Sequence, residues 1–152
     1  MNNEQQLREI CQFINRERVL TLSVAAEGMV WSASCFYQFQ KEQMVLYLMS
    51  DINSRHSQLM LKAPIVSGTI ISSVKSMMSM KGVQYLAHIT PLCAEEEQQA
   101  RNFYCKRYPI SRVMDLKIWR LQLIEIKFTQ RCMGMKRCFH WLRTPKLETC
   151  TQ

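Results

Sequence analysis

Between Met44 and Ile71 the chain leaves little choice of fold. Met44-Val45-Leu46-Tyr47-Leu48-Met49 is an apolar run the length of one buried strand, Ser54-Arg55-His56 follows, and Leu59-Met60-Leu61-Lys62-Ala63 stops at Pro64 before a second apolar run, Ile65 to Ile71. Pro64 has no N–H to donate and holds the residue before it out of helical geometry, so a helix starting near Ser54 must end there. The block therefore reads as strand, polar turn, short helix, strand. A helix start carries free N–H groups and the positive end of the dipole, so a hydroxyl and a guanidinium at Ser54 and Arg55 suit a phosphate. A capped helix with a solvated arginine is the other reading of the same residues.

Flanking segments carry matching signals. Glu4 to Arg16 places Leu7, Ile10, Cys11 and Ile14 at helical spacing. Val19 to Ala25 alternates, Glu27-Gly28 supplies a turn, and Met29 to Phe39 is a second extended run, together a hairpin. Residues 72–80, rich in Ser and Met, read as a flexible loop whose methionines could line a ligand or partner surface. Lys81 to Leu92 resumes alternation, with Val83, Tyr85, Ala87 and Ile89 on one face and His88 on the other. Ala94 to Arg107 has acids in its first turn and bases in its last, as a helix dipole favours. Ile118 to Thr129 and Arg137 to Leu142 close the chain as strands joined near Gly134. Antiparallel strands interrupted by two or three helices define an α+β fold built on a barrel or a strongly curved sheet, and residues 1–152 fit a single domain.

Composition narrows the setting. No apolar run approaches the roughly 18 residues of a membrane span, and the polar N-terminus lacks the regions of a signal peptide, so the expectation is a cytoplasmic protein with no membrane partner. Seven cysteines without C-x-x-C spacing fit reduced thiols, and Cys132, Cys138 and His140 are the nearest approach to metal-ligand spacing, too sparse to predict a metal. The net charge of +8 is uneven. Residues 1–100 carry eight Lys and Arg against nine Asp and Glu, whereas residues 101–152 carry twelve against three. Such a field attracts a phosphorylated small molecule, an acidic partner or nucleic acid, although no nucleic-acid motif accompanies it.

The order of the segments resembles the FMN-binding split-barrel superfamily related to pyridoxamine 5′-phosphate oxidase, and within it the small bacterial YhbP-type proteins. The resemblance is carried by Ser32-Ala33-Ser34-Cys35-Phe36-Tyr37, Val45-Leu46-Tyr47, Asn53-Ser54-Arg55-His56, Ala63-Pro64-Ile65-Val66, Lys81-Gly82-Val83-Gln84, Lys106-Arg107-Tyr108-Pro109, Ile126-Lys127-Phe128-Thr129 and Trp141-Leu142-Arg143. It implies an antiparallel split β-barrel with peripheral helices, and a homodimer with flavin clefts between the protomers. It also implies an FMN site in which Ser32, Ala33 and Ser34 run beside the ring, Ser54, Arg55 and His56 hold the phosphate, and Tyr47 lies near the cofactor. Lys136, Arg137 and His140 would come from the second protomer. The implied activity is an oxidoreductase of unknown substrate, with no catalytic residue to name because the flavin carries the electrons.

Three departures bear on that implication. Where the oxidase pattern has an Arg and, five positions later, a Lys, this chain has Ser32 and Tyr37, and His56 stands in place of another Lys. Charge-assisted contacts are about twice as strong as neutral ones, so FMN is expected to be held more weakly. The alternative from a different class is a cofactor-free dimer that binds a small anion or nucleic acid on the same fold. A third reading is haem, since some split-barrel relatives bind it and His88 or His140 could serve as an axial ligand. Trp31, Trp119 and Trp141 read as core or interface residues, with Trp119 a candidate for a dimer contact.

Overall fold

The computed structural model describes residues 1–74 and 76–145. Its elements follow in the order α1 (Asn3–Arg16), β1 (Val19–Ala26), β2 (Met29–Gln40), β3 (Val45–Ser50), α2 (Arg55–Lys62), β4 (Ile65–Ile71), β5 (Lys81–Pro91), α3 (Ala94–Arg107), β6 (Lys117–Cys132) and β7 (Met135–Leu142). All strand pairs are antiparallel, in the order β3-β2-β1-β4-β5-β6-β7, and β3 also pairs with β6. That last pairing closes a barrel of β1, β2, β3, β6, β5 and β4.

The split lies along one edge of β6, the longest strand. Its first part, Lys117 to Gln122, pairs with β3, and its second, Glu125 to Cys132, pairs with β7. Backbone groups between the two partners would be orphaned, and Arg143 covers them. Its guanidinium donates to the carbonyls of Leu123 (2.6 Å), Gln43 (2.8 Å) and Met44 (3.0 Å), while its own N–H reaches the carbonyl of Ile124. A planar cation with five donors suits such a seam, where three carbonyls converge.

Inward residues at period two fill the barrel, among them Leu20, Leu22, Tyr37, Leu48, Ile89 and Trp119. Trp119 is fully buried there, so of its two expected places, core or interface, it takes the core: even-spaced alternation from Leu121 and Leu123 carries it to the interior and away from any dimer contact. Gly68 is required by a close approach. The Tyr85 hydroxyl donates to the Thr21 carbonyl at 2.6 Å across it, and a Cβ at Gly68 would stand 1.9 Å from that carbonyl oxygen.

Two helices cover opposite ends. An Asn2 capping box starts α1, which buries Ile10, Phe13 and Ile14 and sets Phe13 edge-on to Phe128 at 5.3 Å. The Tyr37 hydroxyl donates to the Ile14 carbonyl at 2.6 Å and fixes this helix to β2. At the other end α2 buries Leu59 and Met60, and Lys62 pairs with Glu27 of the β1–β2 turn. On the outside, α3 builds a second cluster from Ala100, Tyr104 and Cys105 against Met49, Leu92 and Ile118.

Most expected elements stand where the periodicity puts them. Differences are local: Met44 adopts a positive φ of 53° and leaves β3 to begin at Val45, and β6 runs on to Cys132 because polar residues there pair with β7. Segment 72–80 joins β4 to β5 and contains a 3-10 turn, Met77–Ser79. The six described cysteines are free thiols, and Cys150 lies outside the described residues.

Candidate functional site

The polar turn after β3 and the start of α2 form a cluster of three hydroxyls and an imidazole. Ser54 is the N-cap of α2: its Oγ accepts from the Ser57 N–H at 3.3 Å and lies 2.8 Å from both the Asp51 carbonyl and the Ser57 hydroxyl. Ser50, at the buried end of β3, lies 2.5 Å from His56 Nε2 and 3.1 Å from Ser57 Oγ. Burial pushes the His56 pKa below its ordinary value, partly opposed by nearby Asp51. The ring is therefore neutral near pH 7, and its Nε2 shares one hydrogen bond with the Ser50 hydroxyl.

That network turns two of the three expected phosphate ligands inward. The Ser54 oxygen caps its own helix, and the His56 ring nitrogen is held by Ser50 and, more distantly at 3.3 Å, by Ser54. Arg55 differs. It is exposed, forms no ion pair among the described residues, and lies over the Trp31 ring at 4.4 Å from its centroid. Trp31 precedes Ser32 on β2, so this stacking ties the start of α2 to the strand segment expected beside the cofactor. The first N–H groups of the helix, those of Arg55 and His56, have no intrahelical acceptor.

On β2, Ser32 and Ser34 are exposed and Ala33 is half-buried. The Ser32 hydroxyl shares a 2.7 Å hydrogen bond with Ser23 across the β1–β2 pair. Ser32 and Ser34 lie on the outer face of the barrel, opposite Ser23 and Thr21 of β1. Tyr37, which replaces a cation in the oxidase pattern, points into the barrel and is fully buried, so it offers nothing to an anion outside.

The remaining candidates are not gathered here. Tyr47 faces outward from β3 against Phe103 of α3, with ring centroids 6.0 Å apart, and desolvation raises its pKa. Arg137 donates to Glu9 of α1 at 2.7 Å, and Lys136 is exposed on the same strand. Both lie at the α1 end: Arg137 pairs with Gln130 and Gln130 with Lys81, whereas α2 leads into Ile65, which pairs with His88. Lys81 and His88 are seven residues apart on β5, roughly 23 Å along a strand. Within one chain the two groups are separate, so only a second protomer could bring Lys136 or Arg137 to Arg55.

Much of the C-terminal basic excess is structural. Arg101 and Lys117 hold Glu97, Arg120 holds Glu96, Arg137 holds Glu9, and Arg107 donates to the Glu17 carbonyl at 2.7 Å. The Arg101 hydrogen bond keeps the Glu97 carboxyl below its usual range. The residues that sequence reasoning missed are Ser50 and Ser57. Ser50 follows the apolar run that ends at Met49 with nothing in the sequence to couple it to His56, and the S-x-x-S spacing of Ser54 and Ser57 is the signal available for the second. His88 is half-buried on the outer side of β5, and His140 is exposed on β7.

Known structures share the architecture. A heme-binding protein from Mycobacterium smegmatis superposes with a TM-score of 0.72 at 16% identity, over 93% of this chain and 58% of that one. A FAD-binding protein from Mesorhizobium loti superposes with a TM-score of 0.67 at 15% identity, over 78% of this chain and 90% of that one. At such identities the likeness concerns the fold, which is the split barrel. No family model matches the chain. A UPF0306 protein of Yersinia pestis is 40% identical over 147 residues, covering 97% of this chain and 100% of the relative. At that identity and coverage, the chain belongs to the UPF0306 family.

Proposed function

We propose that this protein binds a flavin, FMN, in a cleft completed by a second copy of the chain, with Arg55 at the phosphate end. The observation that carries the reading is Arg55 itself: an exposed guanidinium without a carboxylate partner among the described residues, seated on Trp31 beside the small residues Ser32, Ala33 and Ser34. Two free N–H groups at the start of α2 add donors with the right dipole. Split-barrel neighbours include a FAD-binding and a heme-binding protein, which supports a cofactor role for this fold. Only part of the site fits. Arg55 and the helix N–H groups suit a phosphate, while Ser54 and His56 are engaged internally, so binding is weak for a flavoprotein. A bound flavin would supply the electron transfer, and the protein would supply position and charge.

The test begins with protein purified without added cofactor, its absorption spectrum, and titration with FMN. Flavin absorption, or saturable FMN binding, is the expected result. Arg55→Ala should weaken that binding roughly thirtyfold, the equivalent of about 2 kcal/mol for a charge-assisted contact, with little change in unfolding temperature. A colourless protein that ignores added FMN overturns the proposal. A Soret band in its place would assign the cleft to haem instead.

A further inference from the structure

The end of the barrel under α1, which the strand register sets far from Arg55 within one chain, carries a cavity to which the flavin reading assigns no ligand. Three cations, Arg16, Lys81 and Arg137, line a cavity of about 450 Å³ with the amides of Gln12 and Gln130 and one carboxylate, Glu9, already held by Arg137. The volume is in the range of small-molecule sites. Beyond the Lys81, Gln130 and Arg137 row the sheet continues to the Cys132 and Met135 pair and the tip Met133-Gly134. Side chains alternate along a strand, so Met135 shares the face of Arg137.

That tip is unusually apolar. Met133 is 90% exposed, Met77 88% and Met135 75%, and the Met78 methyl stands 3.4 Å from where a Cβ on Gly134 would be. The Met80 carbonyl accepts from the Arg131 N–H at 2.8 Å, which seats the Met-bearing turn against the hairpin. Arg131 and Lys136 flank the tip, both exposed. Long unbranched thioethers surrounded by Lys and Arg, beside a cationic cavity, complement a surface that is apolar within and anionic at its boundary.

We propose that this end of the barrel docks on an anionic lipid bilayer, its methionines entering the interface and its cavity taking a phosphorylated headgroup. The expectation of no membrane partner rested on the lack of a spanning segment, which surface docking does not need. A soluble anion would explain the cavity but leave the methionines without a role. Nucleic acid would use the cations but gains nothing from an aliphatic tip that has no aromatic to stack.

Sedimentation of the full chain with vesicles provides the test. Vesicles of phosphatidylcholine and phosphatidylglycerol should carry the protein down, phosphatidylcholine alone should not, and added salt should release it. Met77→Ser, Met133→Asn and Met135→Ser together should abolish partition, with unfolding temperature unchanged because all three are exposed. Asn is chosen at Met133 because its φ is positive, at 48°. Arg131→Glu with Lys136→Glu should weaken partition about thirtyfold or more, as expected for two surface cations. No partition at low salt overturns the proposal. So does undiminished partition of the methionine variant, and so does displacement by inorganic phosphate or single-stranded DNA that leaves that variant binding as well as wild type.

Discussion

Gly68 and His56 show how single positions here serve geometry before chemistry. An alanine at 68 would drive its Cβ into the Thr21 carbonyl and to 2.5 Å from the Tyr85 hydroxyl, breaking the bond between them. Overpacking plus a lost buried hydrogen bond should cost about 3 kcal/mol, measured by denaturant unfolding. Tyr85→Phe combined with Gly68→Ala should recover little, because the backbone clash remains. His56 makes a prediction in pH. Burial lowers its folded pKa below the ordinary 6.5, so the unfolded chain takes up a proton more readily. Its contribution is then complete above about pH 6.5 and is lost as pH falls through that value toward the lower folded pKa. Unfolding midpoints of wild type should drop between pH 7 and pH 5.5 more steeply than those of His56→Gln. Parallel curves would show that the ring is not held neutral by its surroundings.

At the scale of elements, the seam of the barrel rests on a residue whose role no local pattern announces. Arg143 satisfies carbonyls on both sides of the split, and burial lowers its pKa, as expected for a cation drawn among backbone groups. Arg143→Lys keeps the charge but cannot reach three divergent carbonyls, so it should cost about 2 kcal/mol. Amide exchange should quicken at Leu123 and Met44 before the rest of the sheet; uniform protection across the seam would argue against the strap. The strands and α1 were legible because each buries one face, and period-two or helical spacing records that burial directly, whereas α2 was bounded by Ser54 and Pro64 and α3 by the acids of its first turn and the bases of its last. Arg143 was not, since it acts through backbone carbonyls that sequence does not display. The same physics divides the candidate site. Ser54 as a cap follows from its place before a helix, but the inward turn of His56 depends on Ser50 six residues earlier, and the separation of Lys136 and Arg137 from Arg55 depends on strand register. Trp119 could be assigned to the core only once its neighbours on β6 had fixed the inward parity.

For the whole molecule, the outer face of β2, β1 and β4 carries a polar centre of Ser and Thr framed by exposed apolar residues. Thr21 and Thr69 hydroxyls meet at 2.6 Å, and Ser23 meets Ser32 at 2.7 Å. Around them Val19, Val30, Phe36, Ile65 and Ile71 are all exposed, Val30 to 70%. These residues come from three strands of one sheet face, so they form a patch rather than isolated side chains, and such patches mark association surfaces. Part of the β2 edge is also unpaired: residues 29–36 bond only to β1, since β3 begins its pairing at Tyr37. The proposed homodimer would cover this face and bring a second chain to the Trp31 and Arg55 pair. Val30→Asp with Ile65→Asp places two carboxylates on the patch without touching the core. Sedimentation should then report a dimer for wild type and a monomer for the variant. FMN binding should fall with association and recover in neither high protein nor high flavin, because the cleft would lack its second wall. Wild-type stability should rise with protein concentration while that of the variant stays flat, the signature of linked folding and association. If the double variant still sediments as a dimer, the partner sits elsewhere, and the cleft at Arg55 must bind its ligand from one chain alone.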